Sequence, residues 1–363
     1  MSDYDLIVEI FERLPPKSLL RFTSLSKSWF SHIVCPNFIS NHALRAAKNP
    51  QKLLIRHLTY FNKHVQNFYT LHSEDRLPLT SRDGYIGITP LDFPGYNFHI
   101  VGSCNGIICL YDHEIHKITL WNPSIRRKLT LPHHHSLRDF SSNGPQVAIG
   151  FAFDLATFDY KIVKISYTTY GRDAPESSIY TINTGVWRVI AFPTTPLNNV
   201  SLACFVNGAL YWLVAEPGSI MSFDLSTEVF GTIPLPEPSW EVTQLTIIKG
   251  YLAVVTNEGS DSWIWLRREY NNVASWSRDL KLNTGPYEGR ISRVLQPTTD
   301  GDLVLTTQSE GYIVYDPVKG VRSRLASVKG LSIIVDIVKY KENLVLLNRG
   351  TGCNGDQPCR NQS

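Results

Sequence analysis

The hydrophobic residues near the start of the chain recur at the spacing of a helix. Between Asp5 and Phe38, apolar side chains return every three or four residues and charged ones lie between them. The apolar stripe of the first run consists of Leu6, Ile7, Ile10, Phe11 and Leu14. This pattern predicts an amphipathic helix that buries one face.

Two prolines separate this helix from a second one. A proline ring disfavours helix in the residue before it, yet proline is tolerated in the first turn of a new helix. Pro15 and Pro16 are therefore expected to end the first helix and to begin the next. The buried side of the second helix is expected to carry Leu19, Leu20, Phe22 and Leu25.

A third helix is predicted to begin after Ser26, whose hydroxyl can accept a hydrogen bond from a free amide of the first turn. It would carry Trp29 and end at Cys35-Pro36. Helical spacing continues for two more turns, until Asn49-Pro50 breaks it and marks the joint to a second domain. About 34 residues cannot bury enough apolar surface to hold three helices together, so this unit needs a partner.

From Gln51 the pattern changes to short runs rich in Val, Ile, Leu, Tyr and Trp, which is typical of antiparallel strands. Turn signals recur in similar apolar frames at Asn105-Gly106, Asn207-Gly208, Lys249-Gly250, Asp300-Gly301 and Glu342-Asn343. Successive turns lie 102, 42, 51 and 42 residues apart, so the first gap should hold two units. Asn-Gly and Asp-Gly favour tight turns between two strands, because their central positions take positive φ.

Each unit continues with a second apolar run before an Asn or Asp, followed by a short third run. The runs around Ile149, Tyr160, Ile179 and Trp187 supply the repeat that is missing from the long gap. Three to four strands in every ~45 residues are typical of a β-propeller blade. We therefore predict a mainly β protein in which a small all-α domain precedes a kelch-like propeller of six or seven blades. The expected domains are residues 1–48, 49–350 and a disordered tail at 351–363.

Composition and charge narrow the class of protein. The 363 residues suit one small and one large domain. Lys and Arg number 35 against 32 Asp and Glu, evenly spread, which disfavours a nucleic-acid partner. The six cysteines are irregularly spaced, and no secretory leader or membrane-spanning run is evident. We expect a soluble protein of the cytoplasm, the nucleus or both, with reduced thiols and no membrane contact.

Candidate chemistry is sparse. His133-His134-His135 invites a metal interpretation, but adjacent side chains of an extended segment point apart, so we expect no metal site. Cys104 and Cys109 lack the spacing of a zinc site and are expected to be core thiols. Cys353 and Cys359 lie in the polar tail, where reducing conditions disfavour a bridge. No catalytic residue or cofactor site is expected.

Several recurring residues are assigned structural roles. The aspartates that follow the second run of each unit are expected to cap turns, namely Asp154, Asp224 and Asp316. Four tryptophans within apolar runs are expected to be buried, namely Trp121, Trp187, Trp212 and Trp265. Trp240, between Pro and Glu, is a candidate surface anchor.

The helical stretch resembles an F-box. The plant form of that motif reads Leu-Pro-x-Lys-Ser-Leu-Leu-Arg-Phe followed by Ser-Lys-Ser-Trp, which stands here as Leu14–Phe22 and Ser26–Trp29. Such modules usually open with a Leu-Pro pair, and Ser2 and Asp3 occupy those places. The resemblance implies docking onto a Skp-type adaptor that links the protein to a cullin. The residues expected to contact the adaptor are Leu6, Ile10, Leu14, Pro15, Leu19, Leu20, Phe22 and Trp29.

The second domain is similar to the F-box-associated, kelch-like domain of the large plant family that includes the pollen S-locus receptors. The similarity rests on the order of short motifs: Trp-Asn-Pro at Trp121, Gly-Phe-x-Phe-Asp at Gly150, Asp-Tyr-Lys-Ile-Val-Lys-Ile at Asp159, and Ile-Tyr before Trp-Arg at Ile179. It covers most of residues 50–350.

Together the two resemblances imply the substrate-recognition subunit of a Skp–cullin–F-box ubiquitin ligase, with the propeller binding a target protein. The alternative is an enzymatic or carbohydrate-binding propeller that carries a helical preface without adaptor function. Long polar connections are candidates for substrate contact, because loops on a rigid scaffold commonly carry recognition. They are His133–Pro145, Tyr170–Ser177 and Asn283–Ser292.

Overall fold

A computed structural model describes most of the chain. It covers residues 3–46, 49, 52–61, 64–73, 87–88, 98–134, 146–167, 175–192, 198–216, 218–236, 242–258, 261–270, 275–282, 291–297, 301–307, 311–324 and 332–346. The expected tail at 351–363 and Trp240 lie outside these residues, as do Cys353 and Cys359.

The described residues begin with four helices, one more than the three we predicted. They are α1 (Asp3–Arg13), α2 (Pro16–Phe22), α3 (Lys27–Ile33) and α4 (Pro36–Ala46). Pro16 opens α2, and the Ser26 hydroxyl accepts a hydrogen bond from the Trp29 amide at 3.1 Å, which confirms the predicted cap. The expectation that Leu25 is buried was wrong, because α2 ends at Phe22 and leaves Leu25 exposed in the following turn.

The strands form six antiparallel sheets. Sheet one contains β1 (Lys52–Phe61), β2 (His64–Ser73), β3 (Gly87–Ile88) and β25 (Ser332–Tyr340). Sheet two contains β4 (Phe98–Cys104), β5 (Ile107–Asp112), β6 (Lys117–Asn122) and β7 (Arg127–Thr130). Sheet three contains β8 (Gln146–Asp154), β9 (Asp159–Tyr167), β10 (Glu176–Thr181) and β11 (Trp187–Ile190).

The other three sheets repeat this order. Sheet four contains β12 (Asn198–Val200), β13 (Cys204–Val206), β14 (Ala209–Glu216), β15 (Ser219–Asp224) and β16 (Phe230–Pro234). Sheet five contains β17 (Val242–Ile248), β18 (Tyr251–Glu258), β19 (Asp261–Arg267) and β20 (Trp276–Leu282). Sheet six contains β21 (Ile291–Pro297), β22 (Leu303–Thr307), β23 (Gly311–Asp316) and β24 (Val321–Arg324).

The sheets are the blades of a closed ring. The first strand of each sheet contacts the first strand of the next, in the order β25, β4, β8, β13, β17, β21 and back to β25. Sheet one takes this strand from the far end of the chain, since β25 pairs with β1 from Lys52–Tyr340 to Thr59–Ser332. The fold is therefore a propeller of six blades, which removes the exposed edges that open sheets would leave.

Most of the predicted turns lie between paired strands. Asn105-Gly106 joins β4 to β5, Asn207-Gly208 joins β13 to β14, and Lys249-Gly250 joins β17 to β18; all six residues have positive φ. The fifth predicted turn was wrong. Glu342-Asn343 follows β25, and the strand that pairs with β25 is β1 rather than a later one. The long gap does hold two blades, as expected.

The recurring aspartates cap turns, as predicted. The Asp224 carboxylate accepts hydrogen bonds from the amides of Ser226 and Thr227 at 3.0 and 2.7 Å. Asp154 and Asp316 accept equivalent bonds from amides two residues along the chain. Trp121, Trp212 and Trp265 are buried, whereas Trp187 is half-buried and donates its indole N–H to the Pro132 carbonyl at 2.9 Å.

The strand order gives the ring two distinct faces. In each blade the first-to-second and third-to-fourth turns lie at one face, because the strands alternate in direction. We call this the helix face, since α4 leads there into β1 and β25 ends there. The second-to-third turns and the ends of β7, β11, β16, β20 and β24 lie at the opposite face. We call it the distal face.

A buried polar group lies where β25 reaches the helix face, and we call it the Asn122–Asn343 cluster. The Asn122 amide donates to the Asn343 side chain and to the Val345 carbonyl, both at 2.7 Å. Asn343 in turn donates to the Asn105 carbonyl, and the Tyr340 hydroxyl accepts from the Ser124 amide at 2.8 Å. The cluster thus joins the last strand to two turns of blade two.

A buried lysine ties blades three and four together. The Lys161 ammonium lies 2.8 Å from Asp154 and 3.0 Å from Glu228, and it donates to the Leu225 carbonyl at 2.7 Å. Burial alone would raise the pKa of Asp154, but hydrogen bonds from Lys161, Thr157 and the Ala156 amide hold that pKa below its usual value. The ion pair therefore stabilises the blade junction in its charged form.

Replacing Gly106 by Ala should destabilise the ring far more than replacing Gly208. Both glycines have positive φ, which costs an L-residue about 1–2 kcal/mol. At Gly106 an added Cβ would also lie 2.0 Å from the Lys341 carbonyl and 2.1 Å from the Asn343 amide, whereas nothing lies within 4 Å at Gly208. We expect a clearly lower melting temperature for Gly106→Ala than for Gly208→Ala. Equal melting temperatures would contradict the packing of the cluster.

Lys161→Met should lower the melting temperature at pH 7, because it leaves Asp154 buried without its cation, at a cost of about 3 kcal/mol. In the wild type, Asp154 has a lowered folded-state pKa, so its contribution is present above about pH 3.9 and is lost as the pH falls further. In the variant, burial raises that pKa above its usual value, so the deficit in melting temperature should shrink as the pH falls and Asp154 becomes protonated.

The matched control is Lys249→Met, which removes an exposed lysine and leaves Asp279 paired with Arg268, so it should change the melting temperature little. The account of this junction would be refuted if the melting temperature of Lys161→Met were lowered equally at all pH values. It would also be refuted if that melting temperature were lowered no more than that of Lys249→Met.

Candidate functional site

The helices complete their core with residues of the ring. Phe11, Leu19, Ile33, Phe38 and Ile39 are buried together, and Ile125 and Leu344 of the propeller belong to the same cluster. Ile125 lies in the turn between β6 and β7, and Leu344 follows β25. The partner that three short helices need is therefore supplied in part by the chain's own propeller.

The segment after β25 joins the helices to the ring. Leu344 packs among the helices, whereas Leu346 packs between blades two and three beside Phe151 and Ile182. Leu346 has a φ of +73°, which a leucine seldom adopts. Leu344 and Leu346, which are separated by one residue, thus anchor the segment in the helical core and in the ring. Hydrogen bonds of the Asn122–Asn343 cluster hold the backbone between them.

Apolar side chains remain exposed on the helices even though the core is complete. Leu6 and Ile10, one turn apart on α1, are 50 % and 49 % exposed. The other large apolar residues exposed in this part of the chain are Tyr4, Leu25, Phe30 and Leu44. Tyr4 stacks on Trp29 with ring centroids 5.4 Å apart and an angle of 9°. Exposed apolar side chains one turn apart, such as Leu6 and Ile10, are candidates for an interaction site.

The residues we predicted as adaptor contacts fall into three groups. Leu6, Ile10 and Pro15 are exposed. Leu14, Leu20, Phe22 and Trp29 are half-buried and pack against the helical core. Leu19 is 0 % exposed, because it lies at the centre of the core between α1, α3 and the ring, so its side chain supports the helices instead of facing a partner.

The sequence reasoning missed several exposed residues. Trp29 and Phe30 are adjacent on α3, and neighbours on a helix point about 100° apart, so both cannot face one core. That spacing could have identified Phe30 as exposed. Leu44 gave no comparable signal, because the end of α4 depended on where the second domain begins.

Ion pairs and a buried histidine hold the helices in register. Arg45 of α4 lies 2.7 Å from Glu12 of α1. The His42 ring nitrogen Nε2 lies 2.9 Å from the Leu14 carbonyl, at the end of α1. Burial lowers the pKa of His42, against weaker opposing effects of that carbonyl and Glu12, so the ring is neutral at pH 7.

The distal face is the other surface available for recognition. The last strands of five blades, β7, β11, β16, β20 and β24, end there, and so do the second strands that lead into the second-to-third turns, such as Asp112–His116. The predicted substrate connections leave from described strand ends on this face, namely those of β7, β9 and β20. Most residues of these connections lie outside the described part of the chain.

The described residues offer little for covalent or metal chemistry. Burial raises the pKa of Cys104 to about 11 and that of Cys204 to about 12, and raises the pKa of Cys109 further, so these thiols are protonated at neutral pH. Cys35, Cys104, Cys109 and Cys204 are free thiols. Within the described ranges no three His, Cys, Asp or Glu side chains converge as a metal site, and His135 lies outside them.

No described helix has the length and apolar character needed to cross a bilayer.

Two family models match the chain. One, described as the F-box associated beta propeller domain, matches residues 57–345, and the other, the F-box domain, matches residues 3–41. The F-box/kelch-repeat protein At3g23880 of Arabidopsis thaliana is 26% identical over 86% of each chain. F-box protein At5g49610 of the same plant is 26% identical over 90% of this chain and 92% of the relative. Arabidopsis F-box protein CPR1 is 24% identical over 97% and 89%.

Leu344→Ala should loosen the helices selectively. Removing a fully buried leucine costs about 2–5 kcal/mol, and here the loss falls on the contact between the helices and the ring. We expect faster proteolytic cleavage within residues 3–46 of the variant. The matched control is Leu303→Ala in blade six, which is similarly buried but belongs to a core cluster that contains no helix residue. If residues 3–46 are cleaved at the same rate in both variants, the ring does not support the helical core.

Proposed function

Because the chain belongs to the F-box proteins that carry an F-box associated beta propeller domain, we propose that it is the substrate-recognition subunit of a Skp–cullin–F-box ubiquitin ligase. In this role the helices bind a Skp-type adaptor, which links the chain to a cullin. The propeller binds a target protein, and the chain itself performs no catalysis. Such a subunit acts in the cytoplasm, the nucleus or both.

The observation that carries this proposal is the exposed apolar surface on the helices. Leu6 and Ile10 are half exposed although a full helical core lies beneath them. Burying such side chains against a partner is favourable by about 25 cal/mol for each Å² of apolar area. Pro15, which precedes α2 and follows Leu14 in the F-box motif, is exposed as well.

The arrangement of the two faces supports the division of roles. The helices contact the ring through Ile125 and Leu344, both at the helix face. The connections that we expect to bind substrate leave from the distal face. A target bound there would not compete with the adaptor for surface, so both can be held at once.

Ile10→Asp should abolish binding to a Skp-type adaptor, because it places a charge where the proposed interface is apolar. In co-purification from cells that express both proteins, we expect retention to fall at least about tenfold, which corresponds to about 1.4 kcal/mol. The matched control is Ile115→Asp, an isoleucine with the same exposure (50 % against 49 %) on the distal face.

Ile115→Asp should retain the adaptor at the wild-type level, and both variants should keep the wild-type melting temperature. Undiminished retention by Ile10→Asp, or equal loss in the two variants, would refute the proposed docking surface.

A further inference from the structure

A cavity of about 700 Å³ lies along the axis of the ring. Its walls come from the innermost strands of all six blades, as shown by Ile100 of β4, Phe151 of β8, Phe205 of β13, Leu245 of β17, Leu295 of β21 and Ile337 of β25. This volume lies within the range of sites that hold small ligands or inserted side chains, and such sites are mostly apolar with a few polar groups.

One polar group in this cavity is a partly satisfied arginine. The Arg293 guanidinium lines the cavity with 43 % of its side chain exposed. Within the described part of the chain its ion-pair partner is Asp336, at 3.7 Å, which is longer than a hydrogen bond. Planar N–H donors of Arg293 are therefore available to a ligand, which is the usual reason for an arginine at a binding site.

Asp336 does not neutralise Arg293, because it is shared with a second arginine. Arg56 of β1, which is 4 % exposed, donates to the Asp336 carboxylate at 3.1 Å. A register shift between Arg56 and His57 in the pairing of β1 with β25 accompanies this contact. Two guanidinium groups thus face the carboxylate of Asp336.

The other polar groups show why Arg293 stands out. Gln244 also lines the cavity, but its amide donates to the Val294 carbonyl at 2.8 Å and accepts from the Val294 amide at 2.6 Å. Lys249 lies 3.1 Å from Asp279, whose carboxylate also pairs with Arg268, and Lys339 is a further residue of the lining. The two lysines carry compact ammonium groups, whereas Arg293 presents a planar guanidinium to the cavity.

We propose that the axial cavity is a binding site for a carboxylate, held by Arg293 beside the Arg56–Asp336 pair. A guanidinium fork matches the two oxygens of a carboxylate. Asp336, 3.7 Å from Arg293, would repel a doubly charged phosphate more strongly than a singly charged carboxylate. The site goes beyond the family assignment and names a chemical class of ligand for the propeller.

The position of Arg293 relates this site to substrate recognition. Arg293 is the third residue of β21, and Ile100 is the third of β4, so both lie near the distal face where these strands begin. An acidic side chain of a target protein bound on that face could enter the cavity there. This inference rests on the proposed function, in which the propeller binds a target protein. A small free carboxylate could bind to Arg293 in the same way.

The test compares the full-length wild type, Arg293→Gln and the control Arg278→Gln, each co-expressed with the Skp-type adaptor. Arg278 has similar exposure (39 %) and pairs with Glu258 at 2.8 Å outside the cavity. Each complex is panned against a displayed library of random seven-residue peptides. In parallel, the melting temperature is measured with glutarate and with inorganic phosphate at equal ionic strength.

Two results would support the site. Peptides selected by the wild type and by Arg278→Gln would be enriched in Asp and Glu about tenfold over those selected by Arg293→Gln, which identifies an acidic side chain as the ligand. Alternatively, glutarate would raise the melting temperature of the wild type and Arg278→Gln but not of Arg293→Gln, which identifies a small carboxylate.

Three results would overturn it. In the first, Arg293→Gln selects peptides as rich in Asp and Glu as the wild type does, and glutarate stabilises both proteins equally or neither of them. The second is neither enrichment nor a glutarate shift in the wild type. The third is stabilisation by phosphate equal to that by glutarate, which would reject the selectivity for a carboxylate. Retention of the adaptor by all three proteins keeps these outcomes separate from the test of the docking surface.

Discussion

The pairing of β25 with β1 is the interaction on which the rest of the structure depends. It joins strands nearly 280 residues apart in the chain and supplies the first strand of blade one. Without it, β1 and β21 would each lose a neighbour in the ring. Closure of the ring brings the two ends of the described chain together, so the helices and the segment after β25 can contact each other. β1 follows the helices, and the segment after β25 returns to pack against them.

Closure of the ring therefore stabilises the helical unit. Leu344 reaches the helical core only because Tyr340 and Asn343 hold the end of β25 against blade two. Buried polar clusters of this kind are favourable when their members are satisfied, and here Asn122 makes its bonds to backbone as well as to side chains. The same contacts hold the helices at the helix face, on the opposite side of the ring from the strand ends of the distal face.

Much of this architecture could be predicted from the sequence because it follows from local patterns. Gly-containing turns at Asn105 and Asn207 and the capping aspartates recur once per blade, so they predicted blades and their approximate number. Closure could not be predicted in this way, because no local signal shows that β25 pairs with β1. Glu342-Asn343 resembled another turn and was misread for that reason.

The candidate sites were predictable to different degrees. The F-box motif located the helices and Ser26, while the exposure of each residue depended on contacts with Ile125 and Leu344 that lie far away in the sequence. Leu19 was expected both on the buried side of the second helix and among the adaptor contacts, and it lies in the core. Arg293 carried no signal at all, because its significance depends on sharing Asp336 with Arg56 across two blades.

The central claim is that the helices and the closing strand form one cooperative unit. Native-state hydrogen exchange of the full-length protein, followed by mass spectrometry over increasing urea, tests it most directly. We predict that peptides from α1–α4 and from β25 lose protection together, with the same dependence on urea. Loss of protection in the helices at low urea, while β25 and β1 remain protected, would contradict it.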